Sequence, residues 1–582
     1  MYDPERITTF ASTDSRNKKV EFGIKAKDRT RHVYVIGKTG LGKSTLLENM
    51  AVQDIENGEG MAFIDPHGKT AELLLNYVPE HRLKDVLYFA PFDLEHPVSF
   101  NVLEDVGFDK RHLVVSGLMS TFKKIWLDAW SARMEYILSN TLLALLETPG
   151  TTLLGVNRML ADKDYRKMIV DNIKDPSVKS FWVDEFAKYT DRFAAEATPA
   201  IQNKIGQFTS NPLIRNIIGQ AKSSFDIRKM MDENKIIIIN LSKGRVGEAN
   251  ANLLGSMFIT KIYLAAMSRA DASEKELQKL PNFYLYVDEF QSFANESFAD
   301  ILSEARKYKL NLTIAHQYIE QMSEEVRAAV FGNVGTMITF RVGAFDAEIL
   351  EKEFTPQFTA EDLVNLGFTQ IYLKLMIDGV SSAPFSASTM PPIKEPERSF
   401  KQEVIDMSRL QFAMKRAGVE QEVLDWHKDK GQVVKKEPVK ILTKESPLVQ
   451  EKKPEVKMVE KREPQKEPVK IFDKPKYFKK ESPVPVAPPL DAPTDDFVSL
   501  KDLKSKLPPS IPTTNQGSGF KKTVNEKSLS ELREVLKSFN KNKPEEIKKT
   551  DQPPVENKLK EIPEDRLRKM LQVDSGKISN EK

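Results

Sequence analysis

The sequence predicts an α/β protein: a mostly parallel sheet with helices on both faces, interrupted by an all-α insertion and followed by a basic, proline-rich tail. Three observations carry this. Residues 37–44 read GKTGLGKS, a glycine loop between the apolar run Val33–Ile36 and a helix-like stretch from Thr45. Further short apolar runs alternate with segments of helical periodicity, the pattern of strands buried on both faces of a parallel sheet. Beyond residue 430 the texture changes. Residues 431–582 hold 34 Lys and Arg against 25 Asp and Glu, with 18 of the chain's 33 prolines.

Composition bounds the function before any motif does. A chain of 582 residues suggests a few domains. The net charge of +3 hides a division: residues 1–430 carry 53 basic and 59 acidic groups, so a mildly acidic body precedes a basic tail. With no cysteine, disulfides and thiolate metal sites are excluded, which fits a reducing cytoplasm. None of the seven histidines forms a pair at helical metal-ligand spacing, so a zinc enzyme is not expected. The N-terminal MYDPERITTF lacks a signal-peptide pattern, and no apolar run approaches the roughly 18 residues of a membrane span. The expected location is cytoplasmic, at most peripheral at the inner face of the cell membrane.

The elements follow in order. Residues 1–31 are polar apart from the alternating Val20–Ile24, read as an edge strand. Val33–Ile36 is a buried strand, and GKTGLGKS matches the phosphate-binding P-loop G-x-x-x-x-G-K-[ST] without a mismatch. Glycines let successive N–H groups turn inward on phosphate oxygens, and the helix from about Lys43 to Asn57 adds its positive end. Gly37, Lys38, Thr39, Gly40, Leu41, Gly42, Lys43, Ser44 and Thr45 are therefore the candidate nucleotide-binding residues. Lys43 would reach the β- and γ-phosphates and Ser44 would hold Mg²⁺, which makes ATP and Mg²⁺ the expected cofactors. Gly60–Ile64 is the next strand. It ends in Asp65-Pro66-His67-Gly68, either a neighbour of the nucleotide or a plain turn. Val86–Phe89 is a further strand.

From about 107 to 233 the stretches Trp126–Leu146, Asp164–Ile173 and Val178–Phe186 carry helical spacing, punctuated by prolines. Trp126, Trp130 and Trp182 are read as core residues of this insertion. Strands resume at Lys235–Leu241, with a loop at 242–247 and a helix from about Ala249 to Arg269. Phe283–Val287 then runs into Asp288-Glu289, the Walker B pattern: Asp288 to hold Mg²⁺, Glu289 to orient or deprotonate the attacking water. A helix from about Ser297 to Lys307 places Arg306 near its end. The strand Leu312–Ala315 ends at His316-Gln317, where the Gln317 amide could sense the γ-phosphate. After Met337–Phe340, Gln370–Ile377 and Val380–Phe385 flank Asp378-Gly379 as a closing hairpin. One helix, about Phe400–Trp426, precedes the tail. The tail's Lys/Glu/Pro alternation cannot bury a core, although Ser528–Phe539 and Glu564–Leu571 could form short amphipathic helices. The predicted divisions are 1–106 and 234–395 for the two parts of the ATPase domain, 107–233 for the insertion, 396–430 for a helical extension and 431–582 for a disordered tail.

These positions together resemble the FtsK/HerA superfamily of hexameric ATP-driven DNA pumps. Within it the chain is most similar to the TraG/TraD-type conjugative coupling proteins of type IV secretion systems. The similarity rests on GKTGLGKST at 37–45, FIDPHG at 63–68, LSKGRVGE at 241–248, YVDEFQSF at 286–293 and ARKYKLNLTIAHQ at 305–317. It covers about residues 15–390. It implies a RecA-like P-loop sheet domain with an inserted all-α domain, assembled as a homohexameric ring with ATP sites between subunits. It also implies Glu289, Gln317 and Arg306 as the catalytic set, Arg306 acting as a finger into the neighbouring subunit, with Ser44 and Asp288 on Mg²⁺. DNA would pass through the central channel. Coupling proteins usually begin with transmembrane helices, and this sequence contains none. A soluble relative, or one docking on a separate membrane-embedded subunit, is the corresponding expectation, and the tail could bind a further protein.

The acidic body provides no bulk attraction for DNA, though Lys243 and Arg245 in a strand-end loop are candidates for local contact. Three rivals to a DNA translocase stand beside it: an ATPase powering protein secretion or pilus assembly, a HerA-like DNA-processing helicase, and a nucleotide-switched scaffold with a partner-recruiting tail. The co-occurrence of Glu289, Gln317 and Arg306 favours turnover over a switch.

Overall fold

The computed structural model describes residues 3–428 apart from 15–17, 105 and 296. The predicted tail and its two short helices lie outside the described residues.

An 11-stranded sheet organises the chain. Its strands are β1 (Ile7–Thr13), β2 (Glu21–Lys25), β3 (Val33–Ile36), β4 (Gly60–Asp65), β5 (Val86–Phe89), β6 (Ile236–Asn240), β7 (Phe283–Val287), β8 (Leu310–His316), β9 (Thr336–Thr339), β10 (Gln370–Lys374) and β13 (Phe385–Thr389). The small hairpin of β11 (Met376–Ile377) and β12 (Val380–Ser381) stands apart. The order is β2-β1-β13-β10-β9-β3-β8-β7-β4-β6-β5. From β9 to β5 every pairing is parallel; from β10 to β2 every pairing is antiparallel.

Period-two geometry explains why the central strands read as unbroken apolar runs. In β6 the side chains of Ile237 and Ile239 enter the cluster on one face, and Ile236 and Ile238 enter the cluster on the other. All four are fully buried, each contributing on the order of 1.5–3 kcal/mol. The helix Lys43–Glu56 packs on the second face through Leu46, Leu47, Met50 and Ile55. The first face shares one continuous cluster with the helices between residues 111 and 232, including Phe122, Ile137, Leu142 and Ile201. Trp126 and Trp182 are buried in that cluster and Trp130 packs against it, as their spacing predicted.

Several boundaries differ from the sequence reading. Residues 1–31 contain two strands, because β1 pairs with both β2 and the distant β13; nothing local marks that partner. The stretch Trp126–Leu146 is not one helix. Helix Arg111–Ile125 ends at Trp126, and Ser131 caps a new helix, Ala132–Leu146, by accepting from the Met134 N–H. The loop at 242–247 contains a helical turn, Lys243–Val246. Phe400–Trp426 is two helices, Lys401–Phe412 and Arg416–Lys428. The break falls where Ala413 bridges to Val98 and the Met414 N–H bonds the Pro97 carbonyl. The predicted hairpin turns at Asp378-Gly379, both with positive φ, but joins only β11 to β12; after residues 382–384 the chain enters β13, which pairs with β10 and β1 in the large sheet.

Candidate active site

Parallel register brings four chain segments to one edge of the sheet. Ile36 aligns with His316, Val287 with Ile314, Ile64 with Val287 and Asp65 with Asn240. The residues just beyond these ends, Gly37–Ser44, Gln317, Asp288-Glu289 and Asp65–His67, therefore converge although they lie up to 280 positions apart. Strand ends of a parallel sheet are where such folds place ligands.

The glycine loop leaves β3 and enters helix Lys43–Glu56 with Gly40 at φ 78° and Gly42 at φ 112°. Side-chained residues rarely adopt such angles, so glycine is required for the curl itself. Lys38, Thr39 and Gly40 are exposed at the mouth, while Leu41 and Lys43 are buried. The Lys43 ammonium donates to the carbonyls of Gly37 at 2.6 Å and Lys38 at 3.1 Å. Burial lowers its pKa, and the Glu289 and Asp288 carboxylates partly restore it.

The Ser44 hydroxyl donates to Asp288 Oδ2 at 3.0 Å. Asp288 is 3 % exposed. Burial, then the Glu289 and Asp65 carboxylates, pushes its pKa up to about 6, against the Ser44 and backbone hydrogen bonds. A buried carboxylate and a hydroxyl in contact at the start of a helix form a hard-oxygen pair of the kind that holds Mg²⁺ together with phosphates and water. Among the described residues no cluster of three His, Asp or Glu forms a self-sufficient metal site.

Glu289 has left-handed backbone, φ 49° and ψ 47°, which is strained for a side-chained residue and turns the chain sharply after β7. Its Oε1 accepts from Gln317 Nε2 and its Oε2 from Gln291 Nε2. The His67 ring faces Oε1 at 3.7 Å. Burial opposes the Glu289 charge, but His67, the two glutamine amides and Lys43 outweigh it and hold the carboxyl down at about 2. Gln317 also accepts from the Thr39 hydroxyl at 2.9 Å, so one amide joins the glycine loop to Glu289.

The open question at Asp65-Pro66-His67 resolves residue by residue. Asp65 builds the turn, accepting from the N–H groups of His67 at 2.7 Å and Ala71 at 2.9 Å. His67 is the one that faces the site. Arg306 is not brought to it. It lies exposed in the 3₁₀ turn Ala305–Tyr308, ahead of β8, at the sheet edge opposite the glycine loop. Seven residues of β8 separate the two edges, roughly 20 Å at about 3.3 Å per residue. Burial and the neighbouring Arg31 both lower its pKa. The loop candidates for DNA contact are engaged within the chain: Lys243 donates to Ser292 Oγ at 2.8 Å, and the Arg245 guanidinium lies 3.4 Å from the Phe92 ring centre. Sequence reasoning did not single out Gln291. Its one signal was standing two residues after Glu289.

Comparison with known proteins adds to this geometry. A family model described as Type IV secretory system Conjugative DNA transfer matches residues 3–330. No curated protein sequence matches the chain. Among solved structures, plasmid coupling protein TrwB in complex with the non-hydrolysable GTP analogue GDPNP aligns at 14 % identity with a TM-score of 0.50, covering 69 % of this chain and 98 % of that one. TrwB in complex with ADP and Mg²⁺ aligns at 14 % identity and 0.50, covering 69 % and 99 %. At this identity the likeness is one of fold.

Proposed function

The chain belongs to the type IV secretory system conjugative DNA transfer family, and from that premise we propose that it is an ATP-hydrolysing DNA translocase of coupling-protein type. The observation that carries the reading is the convergence at one sheet edge of Lys43, the Ser44–Asp288 pair, Glu289 and the Thr39–Gln317 bridge. TrwB, one structural relative, is known in complex with the GTP analogue GDPNP and with ADP and Mg²⁺.

In this reading the inward N–H groups of Gly37–Thr45 bind the phosphates, and Lys43 moves its donors from loop carbonyls to β- and γ-oxygens. Ser44 and Asp288 would hold Mg²⁺, which when bound would supply positive charge to the phosphate oxygens. Glu289, fully ionised at neutral pH, accepts a hydrogen bond from the attacking water and aims it at the γ-phosphorus. Gln317, tied to both Thr39 and Glu289, registers whether the γ-phosphate is in place. Arg306, on the far edge, cannot serve its own site and is assigned to the next subunit's. That assignment requires a ring, for which a homohexamer is the reading. Residues 107–233 are assigned as an inserted all-α domain between the two parts of the ATPase domain, and residues 396–430 as a helical extension.

No described helix is long and apolar enough to cross a membrane. Cytoplasmic work, at most peripheral at the membrane through a separate embedded subunit, and a protein ligand for the tail complete the proposal. The test is steady-state ATPase activity of the full chain with and without single- and double-stranded DNA at low and moderate salt. DNA stimulation that weakens with salt is expected. Turnover indifferent to DNA would point to a protein-secretion motor, and binding without turnover to a scaffold.

A further inference from the structure

We propose that Gln291 positions the Glu289 carboxylate, and that Lys124 of helix Arg111–Ile125 sets Gln291, so that the helical segment governs where the hydrolytic carboxylate points. This rests on the reading of Glu289 as the residue that orients water.

Two amides grip Glu289 from opposite sides. Gln317 Nε2 donates to Oε1 and Gln291 Nε2 to Oε2, which fixes a terminal torsion that is otherwise soft. The Gln291 amide cannot turn over without setting oxygen against oxygen, so Glu289 dictates its orientation. Its own Oε1 is buried and unpartnered. That arrangement is disfavoured by itself and persists because the rest of the residue is held.

Much of what holds it comes from one helix, with Lys243 on Ser292 Oγ and Ser256 on the Phe293 carbonyl adding contacts from elsewhere. Lys124 Nζ donates to the backbone carbonyls of both Gln291 and Ala294. On the same helix, Thr121 Oγ1 accepts from Asn295 Nδ2 at 3.3 Å, and Ser120 Oγ lies 3.1 Å from Ser297 Oγ. Positions 120, 121 and 124 share one helical face, and together they carry the segment from 291 to 297. Phe290 and Phe293 lock that segment from beneath, both fully or nearly fully buried, with the Phe290 and Phe298 rings at 4.4 Å between centres. A shift of helix Arg111–Ile125 therefore carries the Gln291 amide with it, through contiguous contacts. The Glu289 carboxylate is reoriented by such a shift, because Gln317 and His67, at other strand ends, stay in place while Gln291 moves. The helix packs in the same apolar cluster as the rest of the helical segment, so whatever that segment grips has a mechanical route to the site.

The full chain tests this through kcat, KM and the affinity for a fluorescent ATP analogue with Mg²⁺. Gln291→Ala should lower kcat by about tenfold or more, since a displacement near 1 Å can produce changes on the order of a hundredfold, with KM and analogue affinity within about threefold. Lys124→Met should lower kcat in the same way, by at least about threefold, and Lys124→Arg, which keeps its donors, should recover most of that loss. The double variant Gln291→Ala/Lys124→Met should be no slower than Gln291→Ala, because both act through one carboxylate. Unchanged or increased kcat in either single variant, losses that multiply in the double, or a fall in analogue affinity equal to that in kcat would each overturn the inference. The control is Glu289→Gln. If the wild type turns over and Glu289→Gln does not, the site reading stands and the Gln291 and Lys124 variants decide the inference alone. If wild-type turnover is absent or survives Glu289→Gln, the site reading fails and the inference with it.

Discussion

Arg29, just ahead of β3, and Asp54, in the last turn of helix Lys43–Glu56, form a fully buried ion pair, 1 % and 0 % exposed. Their contact is bidentate, Nη1 to Oδ1 at 2.7 Å and Nη2 to Oδ2 at 2.9 Å. The Tyr286 hydroxyl accepts from Arg29 at 2.7 Å and donates to Asp54 at 2.5 Å, and Thr8 accepts from Arg29 at 3.1 Å. The guanidinium lies 3.8 Å from the Tyr284 ring centre. One cluster thus ties β1, the helix behind the glycine loop and the β7 strand that delivers Asp288. Arg29→Met strands a buried carboxylate and Asp54→Leu strands a buried guanidinium; each should lose about 3–5 kcal/mol, out of a typical total of roughly 5–15. The double Arg29→Met/Asp54→Leu removes both charges and leaves mainly the Tyr286 hydroxyl unpaired, a loss of about 1–3 kcal/mol. With about 2.1 cal/mol/K of unfolding entropy per residue over roughly 430 residues, each single change lowers Tm by about 3–6 °C, and the double by about 1–3 °C. Thermal denaturation of the four proteins in parallel is the assay. Singles that lose less than about 1 °C, or a double that loses the sum of the singles, would refute the claim that desolvated charge dominates here.

Further outcomes can be checked alongside. Glu289→Gln should bind the Mg²⁺–ATP analogue as tightly as the wild type while turnover falls by about 10² or more; equal turnover would remove Glu289 from catalysis. Arg306→Ala should bind the analogue, lose most turnover and recover part of it when mixed with Lys43→Ala, since a mixed interface pairs an intact loop with an intact finger; no recovery in any mixture, with normal hydrolysis by Arg306→Ala alone, would end the trans assignment. Acid should weaken the fold through His32. Its Nδ1 accepts the Leu312 N–H at 3.1 Å, its Nε2 lies 3.2 Å from the Leu302 carbonyl, and burial presses its pKa down to about 4. The unfolded chain then binds the proton more readily, so stability present above pH 6.5 is lost as pH falls towards 4, by up to about 3 kcal/mol. Chemical denaturation at pH 7.5, 6 and 5 reads this directly, and a flat profile would contradict it.

The strands of the parallel half were legible because burial on both faces leaves an uninterrupted apolar run, as in Ile236–Asn240 and Phe283–Val287. The glycine loop and the Asp288-Glu289 pair were legible because their chemistry needs particular residues at fixed local spacing. Boundaries set by distant partners were not. β1 carries no internal signal of pairing with β13, and the break at Ala413–Lys415 answers to Pro97, Val98 and Glu95 more than 300 positions away. The turn at Asp65 and the approach of His67 to Glu289 could not be separated by sequence, since Asp-Pro-His-Gly suits either role.

By itself, then, the sequence determined the strand, glycine loop and helix of the P-loop pattern, the acidic strand end, and the order in which strands and helices alternate. These follow from glycine geometry, side-chain periodicity and burial within a few residues. Only the tertiary structure decided that Gln317 joins Thr39 to Glu289, that Arg306 stands at the opposite edge from its own glycine loop, and that Lys124 reaches the turn carrying Gln291. Those relations join residues that only sheet register and helix packing bring within hydrogen-bond reach, and no local rule encodes them.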